Sequence, residues 1–174
     1  WHEFIDLALE NTDRRIQQDK PVIPAYLYAV LLWRSFQYRF KEIAKPKTAH
    51  NERVWMAGDR VFAEQCRAVA IPKRVSSPAI EIWQMQSMLE RRRPKSIRPL
   101  LENRRFRAAY DFLLLRSKVN DVDTQLVDWW TEIQDVNDHR REQLINLLRQ
   151  QGEGKPRNRK RLRRRKPKAQ NSDA

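Results

Sequence analysis

Three glycines in 174 residues constrain this chain more than any other feature. Tight hairpins and phosphate-cradling loops both need residues free to adopt positive φ, and almost none are supplied. Long stretches of helix formers fill the space between prolines, so the sequence reads as an all-α bundle. Hydrophobic residues make up 40% and charged residues 33%. A core is therefore available, but the surface must be very polar. The length suits one domain, or one domain with a tail.

Taken in order, the pattern predicts about six to seven helices. The first covers Glu3 to Gln17, with Phe4, Leu7, Ala8 and Leu9 on its apolar face. Pro24 opens a second at its first turn, where a missing N–H costs little. Every residue from Ala25 to Trp33 is apolar, so burial on nearly all sides is expected. That helix continues through Phe36, Tyr38, Phe40 and Ile43 until Pro46. Val54, Trp55, Gly58, Val61, Phe62, Gln65 and Val69 carry one buried stripe of a third helix, from Asn51 to Val69. Pro72-Lys73-Arg74 reads as a loop, and Ser77-Pro78 as a cap and first turn. The helix that follows carries Ile82, Trp83, Met85 and Leu89 up to Arg91-Arg92-Arg93. Pro94 and Pro99 bracket a connector, and the next helix runs from Asn103 to Val119. Phe112 and Leu115 fall off its main stripe, which predicts contact with more than one neighbour. Leu126 to Ile133 and His139 to Gln150 complete the body.

The charge is unevenly spread. The formal net charge is +14, and residues 155–174 alone supply +9, leaving +5 for the body. Lys155, Arg157, Arg159, Lys160, Arg161, Arg163, Arg164, Arg165, Lys166 and Lys168 provide the tail's cations. Such a segment cannot bury enough apolar surface to offset its ordering entropy, so residues 151–174 read as a disordered tail behind a helical body at 1–150. Dense cations of this kind neutralise phosphates and release counterions, giving salt-dependent, sequence-blind binding to nucleic acid. The plain alternative is a solubilising tail, or one that docks on acidic protein or lipid.

Several chemistries are excluded by what is missing. Cys66 is the only cysteine, which rules out an intrachain disulfide and reads as a packed core thiol in a reducing compartment. His2, His50 and His139 have no metal-ligand spacing and no neighbouring nucleophile. Asp121-Val122-Asp123 superficially matches a magnesium-holding pair, but its place between helices reads as a solvated turn with a cap for the next helix. Ala25 to Trp33 is too short to span a bilayer. With no secretory signal, a cytoplasmic location is expected, and an opening on Trp1 reads as a fragment or processed product.

Within the body, Lys73-Arg74, Arg91-Arg92-Arg93 and Arg104-Arg105 with Arg107 form three basic clusters near helix ends. Antiparallel packing would bring them into one phosphate-gripping patch. Against that, Arg91 to Arg93 also suit a helix C-terminus, and Arg107 can pair with Asp111. Trp83, Trp129 and Trp130 are candidate stacking platforms, though helical spacing favours the core; of the two adjacent indoles only one can face inward.

Five strings give a more specific signal. LALENTDRRI and DKPVIPAYLYAVLLW (7–16 and 19–33), EQCRAVAIPKR (64–74), EIWQMQ (81–86) and RRFRAAYDFLLLR with the later WW (104–116, 129–130) occur in this order before an arginine-rich tail. The chain thereby resembles the carboxyl-terminal body of the bacterial poly(A) polymerase I family, class II nucleotidyltransferases, whereas residues 34–62 follow it only loosely. The resemblance implies an RNA-binding portion of an enzyme that adds AMP from ATP to RNA 3′ ends, usually marking the RNA for decay. It implies ATP and Mg2+ for a catalytic head that lies upstream of these strings, none for this chain, so this chain alone is expected to be inactive. RNA 3′ ends, held mainly by phosphate contacts, and RNA-decay proteins are the implied partners. Lys73, Arg74, Arg104, Arg105 and Arg107 match basic positions of the family strings. A non-enzymatic helical adaptor, its tail docked on acidic protein or anionic membrane, is the alternative.

Overall fold

Proline fixes two of the helix starts and residues other than glycine close three of the ends. The computed structural model describes residues 2–43 and 48–153. Among them the chain is helical with no strand, as the glycine count predicts. The helices are α1 (His2–Gln17), α2 (Pro24–Leu31), α3 (Trp33–Glu42), α4 (His50–Gln65), α5 (Lys73–Arg91), α6 (Pro94–Leu101), α7 (Phe106–Lys118), α8 (Thr124–Asp135) and α9 (Asp138–Glu153). The tail cations from Lys155 to Lys168 and Pro46 lie outside the described residues.

Among the described residues nine helices, rather than six to seven, arise from two local departures. Leu32 leaves helical geometry at φ −98° and ψ 4°, splitting the expected second helix into α2 and α3. Pro94 starts α6 where a connector was expected, and Pro99 lies within it. The start of α5 also moves. Pro72 caps it in extended conformation, so Lys73 and Arg74 are its first residues and not a loop. Pro78 and Pro99 each fall at the sixth residue of their helix, where a proline forfeits one hydrogen bond to a carbonyl in the first turn.

Asp19, Arg92 and Asn120 take the left-handed conformation (φ 53°, 41° and 57°) that glycine usually supplies beyond a helix end. After α1, the Lys20 N–H donates to the Arg15 carbonyl, and after α7 the Asp121 N–H donates to the Arg116 carbonyl. These reach-back bonds satisfy carbonyls the helices leave free.

The longest helix, α5, packs against α2, α4 and α7. Two hydrophobic clusters flank it. The first joins α1 to α4 with Ala79, Ile80, Ile82 and Trp83 of α5 and Phe112 and Leu115 of α7. The second joins Met85 and Leu89 of α5 to α6, α8, α9 and the other face of α7, including Phe106, Ala109 and Leu113. Residues off the main stripe of α7 thus do reach a second neighbour. The apolar run Ala25 to Trp33 is less enclosed than expected. Ala25, Ala29 and Val30 are buried, but Tyr26, Leu27 and Tyr28 are only partly so and Leu31 is 45% exposed. Val69 lies beyond the end of α4 and is also exposed. No described helix is long and apolar enough to cross a membrane.

Gly58 marks the closest approach of α4 to α5. A Cβ there would meet Ile80 Cγ1 at 2.6 Å. Ile80 is buried and β-branched, so it cannot swing aside. Gly58→Ala should therefore destabilise the fold by about 1–3 kcal/mol, offset by up to about 1 kcal/mol of helix propensity. Thermal melting should show a lower Tm for the single variant, and a much smaller effect of the same change in an Ile80→Ala background.

Candidate nucleic-acid interface

A cleft of about 390 Å³ opens between the end of α1, the loop to α2, and one flank of α7. Its rim carries Arg14, Arg15 and Lys20 from the first part of the chain, and Arg104, Arg105, Arg107 and Lys118 from around α7. Among the described residues Asp111 is the sole carboxylate of the lining. The floor is apolar, formed by Val22, Ala25, Pro78, Ile82, Leu114 and Leu115. Concave walls of low dielectric focus such a positive field toward an anion.

Local folding holds these side chains in place. The Arg15 guanidinium donates to the Pro21 carbonyl at 3.0 and 3.2 Å and so ties the loop back onto α1. Arg105 Nε donates to Glu81 Oε2 at 3.1 Å, fastening the start of α7 to the middle of α5. Arg107 pairs with Asp111 at 3.0 Å, one helical turn on. Burial pushes the Asp111 carboxyl above its ordinary range, and Arg107 pulls it back. Burial, and then the Asp111 charge, push the Tyr26 phenol up as well.

The three basic clusters do not converge. Residues 73 and 91 begin and end one helix, so Lys73-Arg74 and Arg91–Arg93 stand roughly 27 Å apart at 1.5 Å per residue. The premise of antiparallel packing also fails. Arg105 meets Glu81, Gln86 meets Ala109 and Glu90 meets Arg116, so α5 and α7 run in the same direction. Lys73 pairs with Asp59 at 3.1 Å in an exposed contact, while Arg74 has no ion pair among the described residues. Arg91 and Arg93 are exposed, and the Arg92 guanidinium lies 5.5 Å from the Trp129 ring centroid. Only Arg104, Arg105 and Arg107 line the cleft, and of these Arg104 alone carries no ion pair among the described residues.

The remaining candidates resolve in physical terms. Trp83 and Trp130 are buried, donating to the carbonyls of Ala29 and Leu89 at 3.0 Å each. Trp129 is the half-exposed partner of the indole pair. Cys66 corrects the expectation of a core thiol. It caps α4 one residue past the last helical turn and is exposed. Asp121 pairs with Arg116 at 2.6 Å, and Asp123 accepts from the Gln125 N–H as the cap of α8. No cluster of three metal-ligating residues occurs among the described residues.

Arg14, Arg15, Lys20 and Lys118 escaped the reading of the sequence. Arg14 and Arg15 are a doublet at the end of α1, where a helix dipole already accounts for cations. Only folding shows that they face the start of α7.

The family model for the polymerase A arginine-rich C-terminus matches residues 46–167. The chain belongs to that family. It is 40% identical over 134 residues to poly(A) polymerase I of Escherichia coli O6:H1, which covers 75% of this chain and 29% of that protein. It is 38% identical over 134 residues to poly(A) polymerase I of Salmonella typhi, with the same coverage of 75% and 29%. The match to the Haemophilus influenzae poly(A) polymerase I is 32% over 144 residues, covering 82% of this chain and 32% of that protein. The chain thus spans about a third or less of the length of these curated relatives.

Arg107 pulls the Asp111 carboxyl down against the upward push of its burial, which makes the pair testable by pH. In Arg107→Ala the folded-state pKa of Asp111 should rise further, so its ionised form is penalised in the folded chain but not in the unfolded one. The stability gap to the unaltered chain should then be small near pH 4 and widen to about 0.5–1 kcal/mol by pH 7. Urea unfolding across that range, with a direct titration of the Asp111 carboxyl, measures both.

Proposed function

We propose that this chain is the RNA-holding C-terminal portion of a poly(A) polymerase I-type polynucleotide adenylyltransferase, which adds AMP from ATP to RNA 3′ ends and so promotes RNA decay. The observation that carries the reading is family membership across residues 46–167 together with relatives named poly(A) polymerase I. A body that is basic apart from its tail, with a cationic cleft, supports the same role. ATP and Mg2+ belong to a catalytic head outside this chain, and no residue here is assigned to them. RNA is the partner, gripped mainly through its phosphates, and RNA-decay proteins are further partners. A cytoplasmic setting goes with such a role and with a single reduced thiol at Cys66.

The division of labour predicts two results. Deleting residues 155–168 should weaken binding to all RNAs alike and flatten the dependence of affinity on salt, because fewer counterions are released. Filter binding to single-stranded RNA across a salt series reads this. A flat response in the intact chain, or no retention, would favour the adaptor that docks acidic protein or anionic membrane. The chain alone should incorporate no AMP into RNA from ATP, and measurable incorporation would overturn the assignment of catalysis to a separate head.

A further inference from the structure

We propose that the cleft beside α7 is a pocket for one unpaired nucleotide of an RNA strand, with the base on its apolar floor and the phosphates on its cationic rim. This rests on the RNA-binding reading above. A surface that merely tracks phosphates needs cations on an open face and no cavity. Here the cations ring a hollow of about 390 Å³, within the size range of small-molecule sites. Its lining includes the apolar Ala25, Pro78, Ile82 and Leu115 with the ring of Tyr26, a mix of the kind that lines small-molecule pockets.

Two polar groups lie inside the rim without partners for all their bonding capacity. The Tyr26 hydroxyl has no hydrogen bond among the described residues. Its ring stands edge-on to Phe112 at 6.3 Å and is held by that contact. Asp111 uses Oδ1 for Arg107, and Oδ2 has no partner among the described residues. One hydroxyl and one carboxylate oxygen match the donors and acceptors along a base edge. A base already paired in a duplex has that edge occupied and cannot be turned into the hollow. At the rim, Arg14, Arg104 and Lys118 carry no ion pair among the described residues and are free to hold phosphate.

Asp111 separates this pocket from a plain electrostatic groove. If the cleft only attracts phosphates, removing its one anion strengthens binding. If the carboxylate meets a base edge, removing it weakens binding. The test uses the full chain and fluorescence anisotropy with a short mixed-sequence RNA, single-stranded or as a blunt duplex. The single strand should bind more tightly than the duplex. Arg104→Ala with Lys118→Ala should weaken the single strand roughly tenfold, and Asp111→Ala should weaken it as well. Photo-crosslinking of a 4-thiouridine strand to the unaltered chain, independent of any variant's folding, should map to the segment around Tyr26 or to α7. Tighter binding by Asp111→Ala would overturn the pocket while leaving RNA binding intact. So would unchanged affinity in the rim variant, or crosslinks confined to other segments. Displacement of the strand from the cleft by equally dilute AMP would assign the pocket to free nucleotide instead of RNA. Failure of the unaltered chain to bind any RNA would instead remove the reading beneath it.

Discussion

One buried cation joins the two halves of this bundle. Arg116 is only 6% exposed, yet it sits where the two hydrophobic clusters meet between α5 and α7. Its Nη1 donates to Glu90 at 2.6 Å and to Gln86 Oε1 at 3.3 Å, and its Nε donates to Asp121 at 2.6 Å. The guanidinium carbon also lies 5.0 Å from the Trp33 ring centroid. Gln86, itself buried, donates onward to the carbonyls of Ile82 and Ala109. A charge so placed is tolerable only while its donors are matched, and losing one partner typically costs about 3–5 kcal/mol. The network therefore fixes both the spacing and the parallel run of α5 and α7. That orientation in turn decides which basic residues can share a surface.

The helical class was legible because it follows from composition and period. Too few glycines exclude hairpins, and apolar residues at three-and-four spacing name the buried faces. The double-sided role of α7 was legible for the same reason, since Phe112 and Leu115 lie off the stripe of Phe106, Ala109 and Leu113. Boundaries were harder. Ser77-Pro78 looks like a helix start because a proline is welcome in any first turn, and nothing local distinguishes the first residue from the sixth. Pro72, extended at φ −69° and ψ 151°, is the actual cap. Leu32 breaks a run that periodicity alone would carry through, since α3 must turn to pack on α4.

The site was only partly legible, and the reason is geometric. Sequence displays clusters of charge but not the direction in which helices run. Arg104, Arg105 and Arg107 were visible as a cluster, whereas Arg14, Arg15, Lys20 and Lys118 join them only after the chain has returned to α1 from α7. The same blindness made Arg105 look equivalent to Arg104, whereas the i,i+4 spacing already offered Arg107 a partner in Asp111. In the fold Arg105 fastens α7 to Glu81 and Arg107 neutralises Asp111, leaving Arg104 with its full donor set toward solvent.

The distribution of cations separates structural arginines from those that structure does not explain. Arg91 lies in the last turn of α5, where the dipole favours it, and Arg92 is held against Trp129 while taking a left-handed conformation. Both have a use within the fold. Lys73 and Arg74 occupy the first turn of the same helix, which carries no acidic residue and whose exposed N–H groups repel cations. Asp59 offsets Lys73 through an exposed pair of the kind that is worth at most about 1 kcal/mol, and none of the described residues offsets Arg74. Arg14, Arg104 and Lys118 likewise crowd like charge around one cleft with a single carboxylate among them. Apart from the Lys73–Asp59 pair, no contact among the described residues gives folding a use for either arrangement. Under the proposed RNA-holding role a polyanion would reverse the sign of both, turning repulsion within the free chain into attraction at the cleft and at the start of α5.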